Sequence, residues 1–285
     1  MENRYITEIR DARHHHGYDF MYTVSLDVEN TIDNCSHAHE DFYELVFILT
    51  GDTQYHIEGN IYKMDPHDIF ITRPGELHRI YFLSSQKYER IVLFIMKDFF
   101  TKNHCEELEN FFLNHKPGIN CHIPARLVTK EMQSLLLKMN RYLQDNAPNI
   151  ADCVLQEFLY LINHIREPLT EPIIEDVRIQ KILLYINEHL DEELNLDTLS
   201  DIFYINKYHL CRLFKAITGH TINQYINYKR LIRVSELCAQ GQSLLEASMN
   251  AGFNTYSHFY KAYKKTFGTS PKDTLLTKKK SEEHT

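Results

Sequence analysis

Signals of a membrane, secreted or disulfide-bonded protein are missing from this chain of 285 residues. The six cysteines, at positions 35, 105, 121, 153, 211 and 238, are scattered and form no CxxC pair, which argues against a zinc site or a disulfide framework. No apolar run approaches the length of a membrane span, and the first residues lack the apolar centre of a signal peptide. These absences predict a cytoplasmic protein with reduced thiols and no membrane partner.

Charge is distributed unevenly, although the total of −8 is modest. Residues 207–280 contain 13 lysines and arginines against 3 acidic residues, so this segment has a net charge of +10. Residues 1–206 contain 18 basic and 34 acidic residues and are strongly acidic. A basic segment of this kind is typical of proteins that bind the phosphate backbone of nucleic acids.

The basic segment also contains an internal repeat. HLCRLFKAITG, from His209, aligns with HFYKAYKKTFG, from His258, at an offset of 49 residues. Each copy predicts a helix with an apolar stripe, a basic stripe opposite and a final glycine. Asn206 and Asn254 are the expected N-caps. A shorter helix is predicted before each copy, at 197–203 and 244–250, so the pattern indicates two helix-turn-helix motifs, joined by a long helix over 222–240.

The first half of the chain has a different pattern. Between 42 and 96, β-rich segments are separated by Gly, Pro and Asp turns, which favours a small antiparallel barrel or jelly roll with strands at 42–50, 54–58, 69–72, 78–83 and 88–96. Helical patterns follow at 98–114, 126–146 and 149–165, and the last two could cover the core or form a dimer interface. The proline-containing acidic segment 166–177 indicates a linker.

Four titratable residues stand out in the β-rich half: His37, His39, Glu44 and His78. The two histidines at i and i+2 share one face of a strand, and Glu44 needs a bend near Asp41 to join them. Such a cluster can form hydrogen bonds to the hydroxyls of a small polar ligand, or it can hold a first-row metal. It can also be purely structural, with its side chains hydrogen-bonded only to one another or to the backbone. Effector binding is the interpretation we favour, without a resident metal or cofactor.

The repeat also carries a family resemblance. GFNTYSHFYKAYKKTFGTSPKD, from Gly252, is close to the pattern Gly-Phe-x3-Ser-x-Phe-x3-Phe-Lys-x3-Gly-x-Ser/Thr-Pro. Residues 176–276 therefore resemble the C-terminal DNA-binding domain of AraC/XylS-type transcription regulators. Residues 37–51 and 74–78 resemble the cupin sensor domain that is often fused to it. The chain departs from these patterns at five positions, namely Arg73, Ala247, Ser248, Lys261 and Tyr263.

The resemblance implies an α+β fold with three parts. A cupin-like antiparallel β-barrel with following helices, residues 1–166, would sense an effector and dimerise. A linker would span 167–177, and an all-α DNA-binding domain with two helix-turn-helix motifs would span 178–285. The implied protein is a transcription regulator and not an enzyme. It would bind promoter DNA as a homodimer, contact RNA polymerase, and respond to a small molecule, which in this family is often a sugar.

The resemblance also implies roles for individual residues. Arg212 would read a guanine edge, and Lys229 and Lys265 would join the phosphate contacts. The full set of implied DNA contacts is Lys207, Tyr208, Cys211, Arg212, Lys215, Tyr256, Ser257, His258, Lys261 and Lys264. The implied effector contacts are His37, His39, Glu44 and His78. These four are also the candidate ligands under the alternative hypothesis, a metal-dependent cupin enzyme fused to a DNA-binding tail.

Overall fold

The chain divides into an N-terminal unit, Met1–Glu175, and a C-terminal unit, Asp176–Thr285. The computed structural model describes residues 6–15, 17–26, 37–39, 41–84, 86–113, 116–167, 169, 172–173 and 176–271. Cys35 and the basic residues from Lys272 to Lys280 lie outside these ranges. Within them, no helix is both long and apolar enough to cross a membrane.

The N-terminal unit is built on two antiparallel sheets. The larger has the strand order β1-β2-β8-β3-β6-β9 and the smaller β5-β4-β7. The strands in the described ranges are β1 Ile6–His15, β2 Tyr18–Leu26, β3 Phe42–Thr50, β4 Thr53–Ile57, β5 Asn60–Met64, β6 Ile69–Thr72, β7 His78–Phe82, β8 Tyr88–Met96 and β9 His122–Ile123.

Strand β3 shows how the unit forms two cores. Successive side chains of a strand point to opposite faces. Tyr43, Leu45 and Phe47 therefore pack with the helices on the outer face of the large sheet. Val46 and Ile48 point the other way and pack between the two sheets, with residues of β4, β6 and β8. The space between the sheets is where a ligand pocket would be expected in such a fold.

The helices of this unit are shorter than the sequence pattern indicates. They are α1 Asp98–Lys102, α2 Asn110–Leu113, α3 Lys130–Gln144 and α4 Pro148–Asn163, with 3-10 turns at Glu106–Glu109 and Ala125–Leu127. The predicted helix over 98–114 is thus interrupted, because His104 adopts a positive φ of 51°. Helices α3 and α4 bury apolar stripes that include Leu135, Met139 and Phe158 in the outer core.

Two parts of the unit differ from the sequence-based expectation. Strands β1 and β2 were not predicted, although β2 pairs with β8 along its length, from Tyr18↔Ile95 to Ser25↔Tyr88. Within the expected linker, Ile173 exchanges two backbone hydrogen bonds with Ile61 of β5, at 2.7 and 3.2 Å. The segment is therefore attached to the small sheet at that residue, and Val177 already begins the next helix.

The C-terminal unit is helical over its described residues. Its helices are α5 Val177–Glu188, α6 Leu196–Ile202, α7 Lys207–Thr218, α8 Ile222–Ala239, α9 Leu244–Asn250 and α10 Tyr256–Phe267. The pairs α6–α7 and α9–α10 form the two predicted helix-turn-helix motifs, and α8 joins them. Gly219 and Gly268 end α7 and α10 in the left-handed conformation, with φ of 80° and 74°. The α+β fold is therefore as predicted.

Candidate nucleic-acid interface and ligand pocket

Helix α7 presents its basic stripe to solvent. The side-chain oxygen of Asn206 caps it, accepting hydrogen bonds from the N–H groups of Tyr208 and His209 at 3.0 and 3.4 Å. Leu210 and Phe214 are buried on the inner face. All five residues expected to contact DNA from this helix are exposed: Lys207, Tyr208, Cys211, Arg212 and Lys215.

Two of these cations have neighbours on the surface. Lys207 forms an ion pair with Asp197 of α6, which neutralises part of its charge. The Arg212 Nη2 atom lies 3.5 Å from the Nδ1 atom of His209. In the described part of the chain, Arg212 forms no ion pair with an acidic residue. Its charge is therefore better placed than that of Lys207 to attract an anionic partner.

Helix α10 repeats this arrangement with two differences. Thr255, and not the predicted Asn254, is its N-cap, because the Thr255 side chain accepts from His258 N–H at 3.1 Å. Tyr256 is half-buried, with its ring 5.5 Å from that of Phe259, so much of it belongs to the core. The remaining expected contacts are exposed: Ser257, His258, Lys261 and Lys264.

The expectation that Lys229 holds a phosphate is wrong. This residue lies on α8, is only 8% exposed, and has its Nζ atom 5.5 Å from the centre of the Tyr225 ring. Lys265, by contrast, is exposed on α10. Ala247 and Ser248, where the chain departs from the family pattern, are fully buried small residues of α9 and leave its packing intact.

The second candidate site is the histidine cluster between the sheets. His37 and His78 are joined by two backbone hydrogen bonds of 3.0 and 2.9 Å, and their rings are 4.4 Å apart. A bend at Asp41 precedes β3, as the sequence argument requires, and it brings Glu44 to the same place. One ligand atom each from His37, His39, Glu44 and His78 lies within 4.8 Å of the others.

Glu44 is the electrostatic centre of this cluster. It is 4% exposed, and its Oε2 atom lies 2.8 Å from His78 Nε2 and 3.4 Å from His39 Nε2. Burial would raise the pKa of Glu44, but the charge of His78 and the contact with His39 hold it well below its usual range. Burial likewise opposes charge on His78, yet the Glu44 carboxylate raises the pKa of this histidine. The cluster therefore favours an imidazolium–carboxylate pair.

The orientation of His78 is fixed from its other side. Its Nδ1 atom lies 2.9 Å from the carbonyl oxygen of Glu76, which can only accept, so Nδ1 carries a proton. The Nε2 atom then faces Glu44 with either a second proton or a lone pair. At 2.8 Å this nitrogen and the Oε2 atom of Glu44 are close enough to interact directly, although the hydrogen bond between them is poorly aligned.

This donor set fits a divalent first-row metal as well as a hydrogen-bonding ligand. Imidazole nitrogens with one carboxylate suit such ions, and a backbone carbonyl behind a histidine is the usual way to orient a metal ligand. Bound there, a metal would supply Lewis-acid chemistry. His37, His39, Glu44 and His78 would hold it.

Sequence reasoning missed four further polar residues between the sheets, namely Tyr55, Thr72, Tyr88 and Arg90. Thr72 pairs directly with Glu44 across β3 and β6. The buried hydroxyl of Tyr55 interacts with Thr72, and that of Tyr88 with Arg90, but neither hydrogen bond is well aligned. Burial opposes the charge of Arg90, but Tyr88 and Glu44 raise its pKa, so the guanidinium stays charged.

Comparison with known proteins identifies both halves. A model described as an AraC-like ligand binding domain matches residues 30–109, and a helix-turn-helix domain model matches residues 199–276. The chain belongs to the AraC family of transcription regulators. It is therefore a DNA-binding regulator with an N-terminal ligand-binding domain, and its relatives are regulators as well.

Individual AraC-family relatives match over different lengths. The regulatory protein PocR of Salmonella typhimurium is 31% identical over 101 residues, which are 35% of this chain and only 33% of PocR. The transcriptional activator RhaS of an Enterobacter species is 23% identical over 82% of this chain and 85% of its own. The crystal structure of ToxT from Vibrio cholerae aligns over 92% of this chain and 98% of its own, with 13% identity and a TM-score of 0.39.

Proposed function

We propose that α7 and α10 each enter a major groove of a promoter and read its sequence. The proposal rests on one observation: both helices carry an exposed stripe of basic and polar side chains opposite a buried apolar face. Arg212 can donate two hydrogen bonds to a guanine edge, whereas Lys215 and Lys264 are suited to phosphates. The small residues Cys211 and Ser257 leave room for close approach to the bases.

Two substitutions in the full-length protein separate these roles. Arg212→Ala should weaken binding to the preferred operator by about 1–3 kcal/mol and relax preference at one base pair. Lys264→Ala should weaken binding to operator and random duplex alike. It should also reduce the slope of log affinity against log salt concentration by about one. Fluorescence anisotropy with an operator selected from a random library measures both. Equal losses on the two duplexes for Arg212→Ala would contradict base reading.

We further propose that the space between the sheets is the effector site. Glu44 accepts hydrogen bonds, Arg90 donates them, and the hydroxyls of Tyr55, Thr72 and Tyr88 can do both. A polyhydroxylated molecule such as a sugar suits this mixture, because each of its hydroxyls is also donor and acceptor. Coupling to DNA affinity of about 1–3 kcal/mol would suffice for regulation, so the site needs no catalysis.

A panel of free monosaccharides provides the probe for this site. A sugar that fits should raise the thermal midpoint of the full-length protein and shift its operator affinity. Arg90→Met should remove both responses, while binding to operator without sugar stays unchanged. A sugar response that survives Arg90→Met would place the effector site elsewhere.

A second candidate function follows from the fit of the four-residue cluster to a metal. In that case the N-terminal unit would be an enzyme whose metal is held by His37, His39, Glu44 and His78. Metal analysis of the purified protein, together with product analysis on the same sugars, distinguishes the two. Stoichiometric metal with turnover of a sugar would favour the enzyme, and ligand binding without turnover the sensor.

We also propose that the protein is a homodimer that contacts RNA polymerase from its promoter site. The dimer is supported by apolar side chains that α3 and α4 leave on the surface, among them Leu137, Ile150 and Tyr160. Two-fold symmetry would match a pair of half-sites on DNA.

A further inference from the structure

Tyr204 combines two properties that are rarely found together. It lies in the turn between α6 and α7, with a φ of +50° in the left-handed region, and its side chain is 96% exposed. A bulky residue pays a conformational cost in that region, since its Cβ atom crowds the backbone. The exposed ring forms no packing inside the protein that would offset this cost, so the residue invites a functional explanation.

The second motif shows what the turn itself requires. By position in the turn, counted from the end of the preceding helix, the counterpart of Tyr204 is Gly252, with a φ of +95°, because each residue stands two positions after a helix end. Both turns close with the same backbone bond, from Ile205 N–H to Ser200 O and from Phe253 N–H to Ser248 O, each 3.1 Å long. This is a helix C-terminus in which glycine is preferred. The turn therefore needs a left-handed residue at 204, but it does not need a tyrosine.

The surroundings of Tyr204 are suited to an anion. Tyr204 lies three residues before the start of α7, where the helix dipole favours negative charge, although Asn206 already accepts hydrogen bonds from the N–H groups of Tyr208 and His209. Tyr208, 88% exposed, and the cations Arg212 and Lys215 follow on the same helix. Tyrosine hydroxyls commonly donate hydrogen bonds to DNA phosphates.

We infer that Tyr204 is a DNA-backbone contact: its hydroxyl donates a hydrogen bond to a phosphate that flanks the groove occupied by α7. This inference rests on the proposed function of α7. The contact would be made by a residue that precedes the recognition helix. Its partner would be a phosphate group of double-stranded DNA. Because tyrosine is neutral, the contact releases no counterion, and it adds affinity without adding salt dependence.

The test uses the full-length protein with the selected operator and with random duplex, by fluorescence anisotropy at several salt concentrations. Tyr204→Phe, which removes only the hydroxyl, should raise the Kd about tenfold on both duplexes, as for a hydrogen bond to a charged group. The slope of log Kd against log salt should stay unchanged. Lys215→Ala, by contrast, should flatten that slope by about one. Tyr204→Gly should weaken binding at least as much as Tyr204→Phe without lowering the thermal midpoint.

A matched control is Asn146→Gly. Asn146 is also an exposed residue with positive φ, 54°, at the end of a helix, but it lies in the N-terminal unit. Its replacement should leave DNA affinity unchanged. A wild-type Kd for Tyr204→Phe, or a loss confined to the operator, would overturn the phosphate contact. If Arg212→Ala also binds like wild type, the failure lies in the proposed role of α7 itself.

Discussion

Replacement of Glu44 by glutamine removes one charge from the buried cluster while keeping the shape of the side chain. At 2.8 Å, the attraction between Glu44 and His78 is about 6 kcal/mol for an effective dielectric constant of about 20, before the cost of desolvation. Loss of one partner from a buried pair typically costs about 3–5 kcal/mol. We expect about 3 kcal/mol, the lower end of that range, because His78 can release its proton when its partner becomes neutral.

The chain provides a control with the same geometry on the surface. Lys63 Nζ and Asp65 Oδ1 are also 2.8 Å apart, but their side chains are 63% and 58% exposed. Asp65→Asn should therefore cost less than about 1 kcal/mol. Urea unfolding of the full-length protein at pH 6, followed by circular dichroism with a chelator present, measures both variants. Operator affinity without effector should be unchanged in each.

A double-mutant cycle with His78→Gln then tests whether the two residues act as a pair. If they do, His78→Gln should cost clearly less in the Glu44→Gln background than in the wild type. The reasoning would be refuted if Glu44→Gln cost no more than Asp65→Asn, since the cluster would then be solvated and unsuited to bind a ligand through charge.

Burial, aided by Arg79, lowers the pKa of His56 to about 3. The free energy of unfolding should therefore fall as the pH drops from about 6.5 towards 3, because in that range only the unfolded chain binds a proton at this histidine. In urea titrations, His56→Gln should make the free energy of unfolding depend less on pH over this range. An unchanged pH dependence would contradict the low pKa of His56. Helix α8, with 18 residues, is about 27 Å long, so DNase footprints should cover two successive major grooves about 34 Å apart, and protection of one groove would show that α10 does not engage. Sedimentation should give a dimer that Leu137→Asp dissociates; a wild-type monomer at high micromolar concentration would exclude it.

The sequence best predicted the strands that are nearly continuous apolar runs bounded by turn residues. For β3, β6 and β8, the predicted and observed bounds coincide, because apolar runs stop at turn residues such as Gly51 and Pro74. Strand β1 escaped prediction, since ITEIRDARHH has few apolar residues and lies at the edge of the large sheet. Its order comes from pairing with β2, which is a long-range property.

The same distinction applies to the candidate sites. His37, His39 and Glu44 could be predicted to lie together because they are close in sequence. His78 is distant in sequence and joins this set through the resemblance to cupin sensor domains, and its position beside His37 comes from a long-range backbone bridge. Thr72 and Arg90 could not be predicted to lie with them, since their proximity to Glu44 depends on β3 pairing with β6 and β8. Tyr55 could not either, because it belongs to the smaller sheet and approaches Glu44 only where the two sheets pack together. At the second recognition helix, Asn254 and Thr255 are adjacent and both able to cap. Local sequence cannot decide between them, and the turn geometry selects Thr255.

The two helix-turn-helix motifs have turns of the same backbone conformation, but the surroundings of the two turns differ. At Gly252, a Cβ atom would lie 2.0 Å from the carbonyl oxygen of Leu190, which Arg230 Nε also holds at 2.8 Å. Glycine is therefore required there by packing as well as by φ. At Tyr204 the side chain meets solvent, so only the backbone conformation is costly. The turn of the second motif is enclosed by protein, whereas that of the first is open. At the left-handed position of the two turns, only the first motif can therefore present a side chain to solvent, and so to DNA.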